Sequence, residues 1–209
     1  MGSRVIGESI LVDRYPYSPS DPTWPVTVSD LKKHIQLDHS EDDSLLLTGS
    51  GGYLAAATEY VESRGQISLV QQKRKMRLDE LPAGDSVHVI RGPLISIQSI
   101  TYLDADKVTQ TLDTSCYRVI AGGRSSSVYF EEHLTATLAD GPGIVEINMT
   151  CGFGTAPTSV PALWRQLVAE VTSYFYERRN AIAGGGLDPA FEAVIDRKVI
   201  IAGGVRRYV

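Results

Sequence analysis

Between residues 26 and 64 the apolar positions recur at helical spacing. In VTVSDLKKHIQL, Val28, Leu31 and Ile35 fall on one side of a helix, with Asp30 in its first turn. Ser40-Glu41-Asp42-Asp43 is a capping-box variant. It predicts a second helix from Ser40 to about Ser63, with Leu46, Tyr53, Ala57, Tyr60 and Val61 on one face. Gly49-Ser50-Gly51-Gly52 lies inside that helix, where each glycine costs about 1 kcal/mol relative to alanine. A kink or a close backbone approach is expected there. A phosphate loop is not, because no Lys-Ser/Thr follows and the glycines do not form G-x-G-x-x-G.

From Gly65 to Cys151 the period changes to two. Lys73, Lys75 and Arg77 alternate with Arg74, Met76 and Leu78, which predicts a strand with one solvated basic face. Val87 and Val89 mark the next strand. Ile95 and Ile97 share one face, but Ile100 and Tyr102 lie on the other parity, so a β-bulge is predicted near Gln98-Ser99. Asp104-Ala105-Asp106-Lys107 is turn chemistry between this strand and Val108, Gln110 and Leu112. Tyr117 with Val119, then Val128-Tyr129-Phe130, and then Val145, Ile147, Met149 and Cys151 complete six or seven short strands. Such spacing suggests a small sandwich or barrel.

The helical period returns at Val160-Pro161. Leu163, Trp164, Leu167, Val168, Val171, Tyr174, Phe175 and Arg178 form the strongest stripe in the chain, up to Gly184-Gly185-Gly186. A short helix over Pro189–Arg197 follows, then the tail KVIIAGGVRRYV. The predicted class is α+β: a small helical bundle drawn from both ends of the chain, with an inserted antiparallel β-sandwich or barrel-like module and extended arms. The expected segments are 1–25 (N-terminal arm), 26–64 (first helical part), 65–154 (β module), 155–187 (second helical part) and 188–209 (C-terminal docking tail). The arm RYPYSPSDPTWP holds four prolines and is expected to be ordered only by docking.

Composition adds exclusions. A chain of 209 residues with 43% hydrophobic content can bury a core without staples. A net charge of −5 argues against a dedicated nucleic-acid binder but suits a wall that DNA passes without sticking. Yet Pro189–Val209 carries four basic residues against two acidic, which suggests a docking tail. The opening residues lack a signal-peptide core, and no apolar run approaches the roughly 20 residues of a membrane span, so a soluble intracellular protein is expected. On that expectation the sequon at Asn148 carries no meaning.

Reactive constellations are not evident. Cys116 and Cys151 form no C-x-x-C and are expected to be packed, reduced thiols. His34 and His39 are five apart, not the four of a helical metal pair. The acids around His39 suit a solvated helix start. Asp104 and Asp106 are read as turn formers, and no G-x-S-x-G occurs. No catalytic, metal or cofactor residues are assigned, and the protein is not expected to be an enzyme.

The order of motifs resembles the head–tail connector (adaptor) proteins of long-tailed bacteriophages, prophages and gene transfer agents. The resemblance spans about residues 26–183. It rests on VTVSDLKKHIQLDHSEDDSLL, AAATEYVE, MRLDELP, RGPLISIQSITYLDADKVTQTLDTSCYRV, VEINMTCGFG and VPALWRQLVAEVTSYFYERRNA, in that order. It implies a structural virion protein of the neck. About twelve copies would form a ring beneath the portal protein, with a stopper or tail protein below and genomic DNA passing through without sequence-specific binding. It also implies a portal-docking tail, mapped by position onto Arg197, Lys198, Val199, Ile200, Ile201, Val205, Arg206, Arg207, Tyr208 and Val209. Two features depart from the relatives: Gly49–Gly52 interrupts a usually alanine-rich helix, and Arg74 stands where an aromatic residue is usual. Two alternatives stay open, another neck component (stopper or tail-completion protein) and a β-sandwich binding module or hydrolase.

Overall fold

The computed structural model describes residues 13–15, 23–47, 52–120, 126–131, 137–178 and 188–201. They fall into two compact units, one helical and one β.

The helical unit takes its residues from 23–71 and from 153 onward. Helix α1 (Val28–Ile35) starts at Thr27, whose hydroxyl oxygen accepts the Asp30 N–H at 3.2 Å, and ends at Gln36 in the left-handed region. The single helix expected from Ser40 to Ser63 is two helices: α2 (Asp43–Leu47) and α3 (Tyr53–Gly65). Gly52 is the N-cap of α3, and residues 48–51 lie outside the described residues. The start also differs, because the Asp43 carboxylate receives Lys32 Nζ at 2.8 Å instead of closing a box on Ser40. Helix α4 (Ala162–Glu177) follows Pro161 and buries the expected stripe: Trp164, Leu167, Val168, Val171 and Phe175. These pack with Leu31, Leu46, Leu54, Ala57 and Val61 into one core.

Helix α5 (Pro189–Ile201) is a full turn longer than the sequence suggested. Ile195 and Val199, one turn apart, are both buried in that core, so burial carries the helix past Arg197. Glu62 on α3 is a buried acid whose Oε1 accepts the Leu69 N–H at 2.8 Å, tying down the chain that leaves the helix.

The β unit contains two antiparallel sheets. The larger has the order β1-β2-β8-β4-β5: β1 (Asp13–Tyr15), β2 (Gln72–Leu78), β8 (Val145–Cys151), β4 (Leu94–Leu103) and β5 (Thr109–Thr111). The smaller has the order β3-β7-β6: β3 (Ser86–His88), β7 (Ser127–Phe130) and β6 (Tyr117–Ile120). Met76, Ile100, Val145 and Ile147 of the first share a buried cluster with Val128 and Phe130 of the second. The α+β class is therefore as expected, in a sandwich-like form; among the described residues neither sheet closes into a barrel. Strand β1, in the N-terminal arm, was not anticipated: three residues followed at once by Pro16 show no alternation.

The predicted bulge is present. The β4–β8 register slips between Ile97 and Ser99, leaving Gln98 as the extra residue. A second slip, between Leu94 and Ser96, was not anticipated; it turns Ile95 outward instead of onto the face of Ile97.

The β4–β5 turn is organised by Asp104. Its Oδ1 accepts the N–H groups of Asp106 (3.0 Å) and Val108 (2.9 Å), and its Oδ2 accepts Gln110 Nε2 at 2.8 Å. The Gln110 hydrogen bond, followed by the Val108 and Asp106 N–H groups, holds the carboxyl below the usual range despite desolvation. Lys107 closes this turn at φ 60°, a conformation that costs a β-carbon roughly 1 kcal/mol or more. Lys107→Gly is expected to stabilise the β unit by about 0.5–1 kcal/mol, read as a higher midpoint in thermal denaturation.

Candidate functional site

The residues that first suggested chemistry are dispersed. His34 and His39 are exposed, and His88 is exposed with Nδ1 3.1 Å from Ser127 Oγ. His133 lies outside the described residues. Among the described residues no group of three or more His, Cys, Asp and Glu is placed to hold a metal. Cys151 is buried, and burial pushes its thiol up to about 12, with Arg74 opposing. Such a thiol is unreactive at neutral pH. Cys116 is half-buried.

The basic face of β2 is largely neutralised. Lys75 Nζ lies 2.7 Å and Arg77 Nε 3.4 Å from Glu146, while Lys73 is exposed. Burial works to raise the Glu146 carboxyl, but the Lys75 and Asn148 hydrogen bonds and the neighbouring cations outweigh it and hold the group low. This face is a salt-bridged sheet surface, a poor match to a phosphate-binding stripe.

The most organised polar constellation surrounds α5. Arg64 of α3 reaches Glu192 at 2.7 Å and Asp196 at 3.1 Å. Tyr60 donates its hydroxyl to Glu192 at 3.2 Å. Lys198 meets Glu170 of α4 at 2.6 Å. At the other end of α5, Phe191 stacks on Tyr174 with centroids 4.2 Å apart, and the Tyr174 hydroxyl accepts the Asp188 N–H at 3.0 Å. The sequence held a usable signal: Tyr60/Arg64 and Glu192/Asp196 are both i,i+4 pairs, on helices that bury one face each. Nothing local joined the two pairs.

Burial pushes the Tyr60 phenol up to about 12, with Arg64 lowering it and Glu192 raising it as smaller effects. The folded unit keeps this proton where the unfolded chain, near pH 10, has lost it. The associated stability is complete below about pH 10 and is lost as pH rises through the folded value. Tyr60→Phe is expected to flatten the fall in helical-unit stability between about pH 10 and 12, measured by urea melts followed by circular dichroism.

With one face clamped, α5 presents the other. Ala190, Val194, Arg197 and Ile201 follow at i, i+4, i+7 and i+11, and all are exposed; Ile200 is exposed beside them. Ile201 is 68% exposed and Val194 50%. Within the proposed docking tail, Val199 is core and Lys198 is ion-paired, whereas Arg197, Ile200 and Ile201 are available. Val205, Arg206, Arg207, Tyr208 and Val209 lie outside the described residues. On the β unit, Val119 and Ile120 of β6, Ile95 and Val108 are exposed apolar residues that sequence reasoning did not mark as surface.

The described surface thus offers apolar helix and strand positions suited to protein contacts. Among the described residues no helix is long and apolar enough to cross a membrane. No family model matches the chain, and no curated protein sequence matches it. Solved structures do. A chain in the virion of a native gene transfer agent particle shares the fold at a TM-score of 0.71 and 20% identity, over 95% of this chain and 97% of that one. A chain in the neck of an empty gene transfer agent particle, computed with C6 symmetry, gives 0.69 and 22%, with the same coverage. A chain in the neck of the native particle, computed with C12 symmetry, gives 0.67 and 22%, again over 95% and 97%. The similarity extends through the helical and β parts alike and establishes a shared fold.

Proposed function

We propose that this chain is a structural component of a virion neck, a head–tail adaptor that acts by assembly and not by catalysis. The observation that carries the reading is the near end-to-end fold match, 95% of this chain and 97% of the other, to chains in gene transfer agent necks. The C6 and C12 symmetry of those necks favours a ring of about twelve copies, which needs unlike faces that close by rotation. Apolar positions on α5 and on the β unit supply candidates for such faces. In this reading α5 and the basic tail beyond it dock on the portal protein, another surface meets a stopper or tail protein, and the acidic chain passes DNA without holding it.

Electron microscopy of the purified protein mixed with its portal protein tests the reading. Rings of about a dozen copies seated on the portal are expected. Truncation after Ile201, which keeps α5 and its buried Ile195 and Val199 and removes the basic tail, is expected to weaken that joining. Virions in which the protein is absent from the neck would overturn the assignment. A ring that binds only the tail side would move it to a stopper or tail-completion role.

A further inference from the structure

Strand β1 is an anomaly in its own sheet. Among the described residues it pairs only with β2, Asp13 opposite Lys75, Arg14 opposite Arg74 and Tyr15 opposite Lys73. The rest of the larger sheet is complete without it, since β8 pairs with β2 along all seven residues, Gln72–Leu78, and with β4 on its other side. In sequence, β1 is separated from β2 by the whole of α1, α2 and α3. Pro16 follows β1 directly and has no N–H to extend the ladder; Pro19, Pro22 and Pro25 withhold further donors. Three residues form a marginal strand. A three-residue ladder gives a single chain little to hold the arm in place.

We propose that β1 is exchanged between copies: in the assembled protein, Asp13–Tyr15 of one subunit adds to the β2 edge of its neighbour. The backbone hydrogen bonds are the same in either arrangement, so exchange has no cost in contacts. It converts a weak intramolecular strand into a tie between subunits, strengthened by the high effective concentration inside an oligomer. The partner is a second copy of this chain, and the recognition is β-strand addition. The inference rests on the ring reading for its setting, but not for its geometry.

The test uses directly opposed residues, whose Cα atoms in an antiparallel pair lie within reach of a disulfide. Full-length chains carrying Tyr15→Cys are assembled with chains carrying Lys73→Cys, both in a Cys116→Ser background, then oxidised and run on a non-reducing gel; Lys73 is exposed, and a denaturant melt of each variant checks that its fold is kept. Exchange gives a linked dimer roughly tenfold above either chain alone. In the double variant Tyr15→Cys/Lys73→Cys it gives linked multimers. A double variant that yields only an internally linked monomer overturns the proposal. If one variant fails to fold, Asp13→Cys with Lys75→Cys, opposed in the same ladder, repeats the experiment. Particle mass measured before oxidation separates the two readings. Internal links within intact rings sink exchange and leave the ring. Links between chains in a species smaller than a ring support exchange and sink the ring. Internal links in a monomer that never assembles sink both.

Discussion

Replacing Trp164 with alanine is expected to destabilise the helical unit by about 3–5 kcal/mol, measured by urea denaturation. Trp164 is 2% exposed and among the largest side chains that α4 buries. The residue that fits it to α3 is Gly65. A Cβ placed there would lie 2.7 Å from Trp164 Cη2 and 3.0 Å from Cζ3. Helix propensity alone would favour Gly65→Ala by about 1 kcal/mol. The clash is with a rigid ring enclosed by the core, and overpacking of that kind costs about 1–3 kcal/mol, so the net effect is expected to be destabilising. The pair Gly65→Ala with Trp164→Phe tests the mechanism. If the contact is the cause, the double variant is less destabilised than the sum of its parts.

Val194→Gln combined with Ile201→Gln is expected to abolish joining to the portal while leaving folding within about 0.5 kcal/mol of the parent. Both side chains are exposed on α5, and glutamine is as good a helix former as the position needs. Apolar anchors at an interface centre contribute about 2 kcal/mol or more each, so roughly 30-fold per residue would be lost from portal binding. Sedimentation with purified portal protein, alongside a denaturant melt, gives both readouts. Undiminished binding would remove α5 from the interface.

The legible parts of the fold were those with a repeated local period. Val145–Cys151 and the α4 stripe each declared themselves through several residues on one face. The bulge at Gln98 was legible because it inverted a phase that the flanking isoleucines made visible. The bulge at Ile95 was not, since an isoleucine at 95 and another at 97 mimic regular alternation although only Ile97 packs inward. Helix α5 was read short because its last turn is specified by Ile195 and Val199 meeting a distant core. The clamp of Arg64 on Glu192 and Asp196 joins segments far apart in sequence, which no window of local pattern contains. The candidate docking face was located by position alone; its division into a clamped side and an open side required the packing.

The two bulges in β4 give that strand a length allowance. From Leu94 to Tyr102 it lies against seven residues of β8, with Ile95 and Gln98 supernumerary. With those two set aside, the order is Leu94, Ser96, Ile97, Ser99, Ile100, Thr101, Tyr102, in which inward and outward residues alternate almost throughout. Losing Gln98 therefore leaves Ile97 and Ile100 on the core side with Ser99 between them. Losing Ser99 instead would remove a paired residue and disturb the ladder. Strand β4 is thus where the β unit can change length by a residue without inverting the faces of the residues beyond it, and related chains that differ in length there can keep the same buried face.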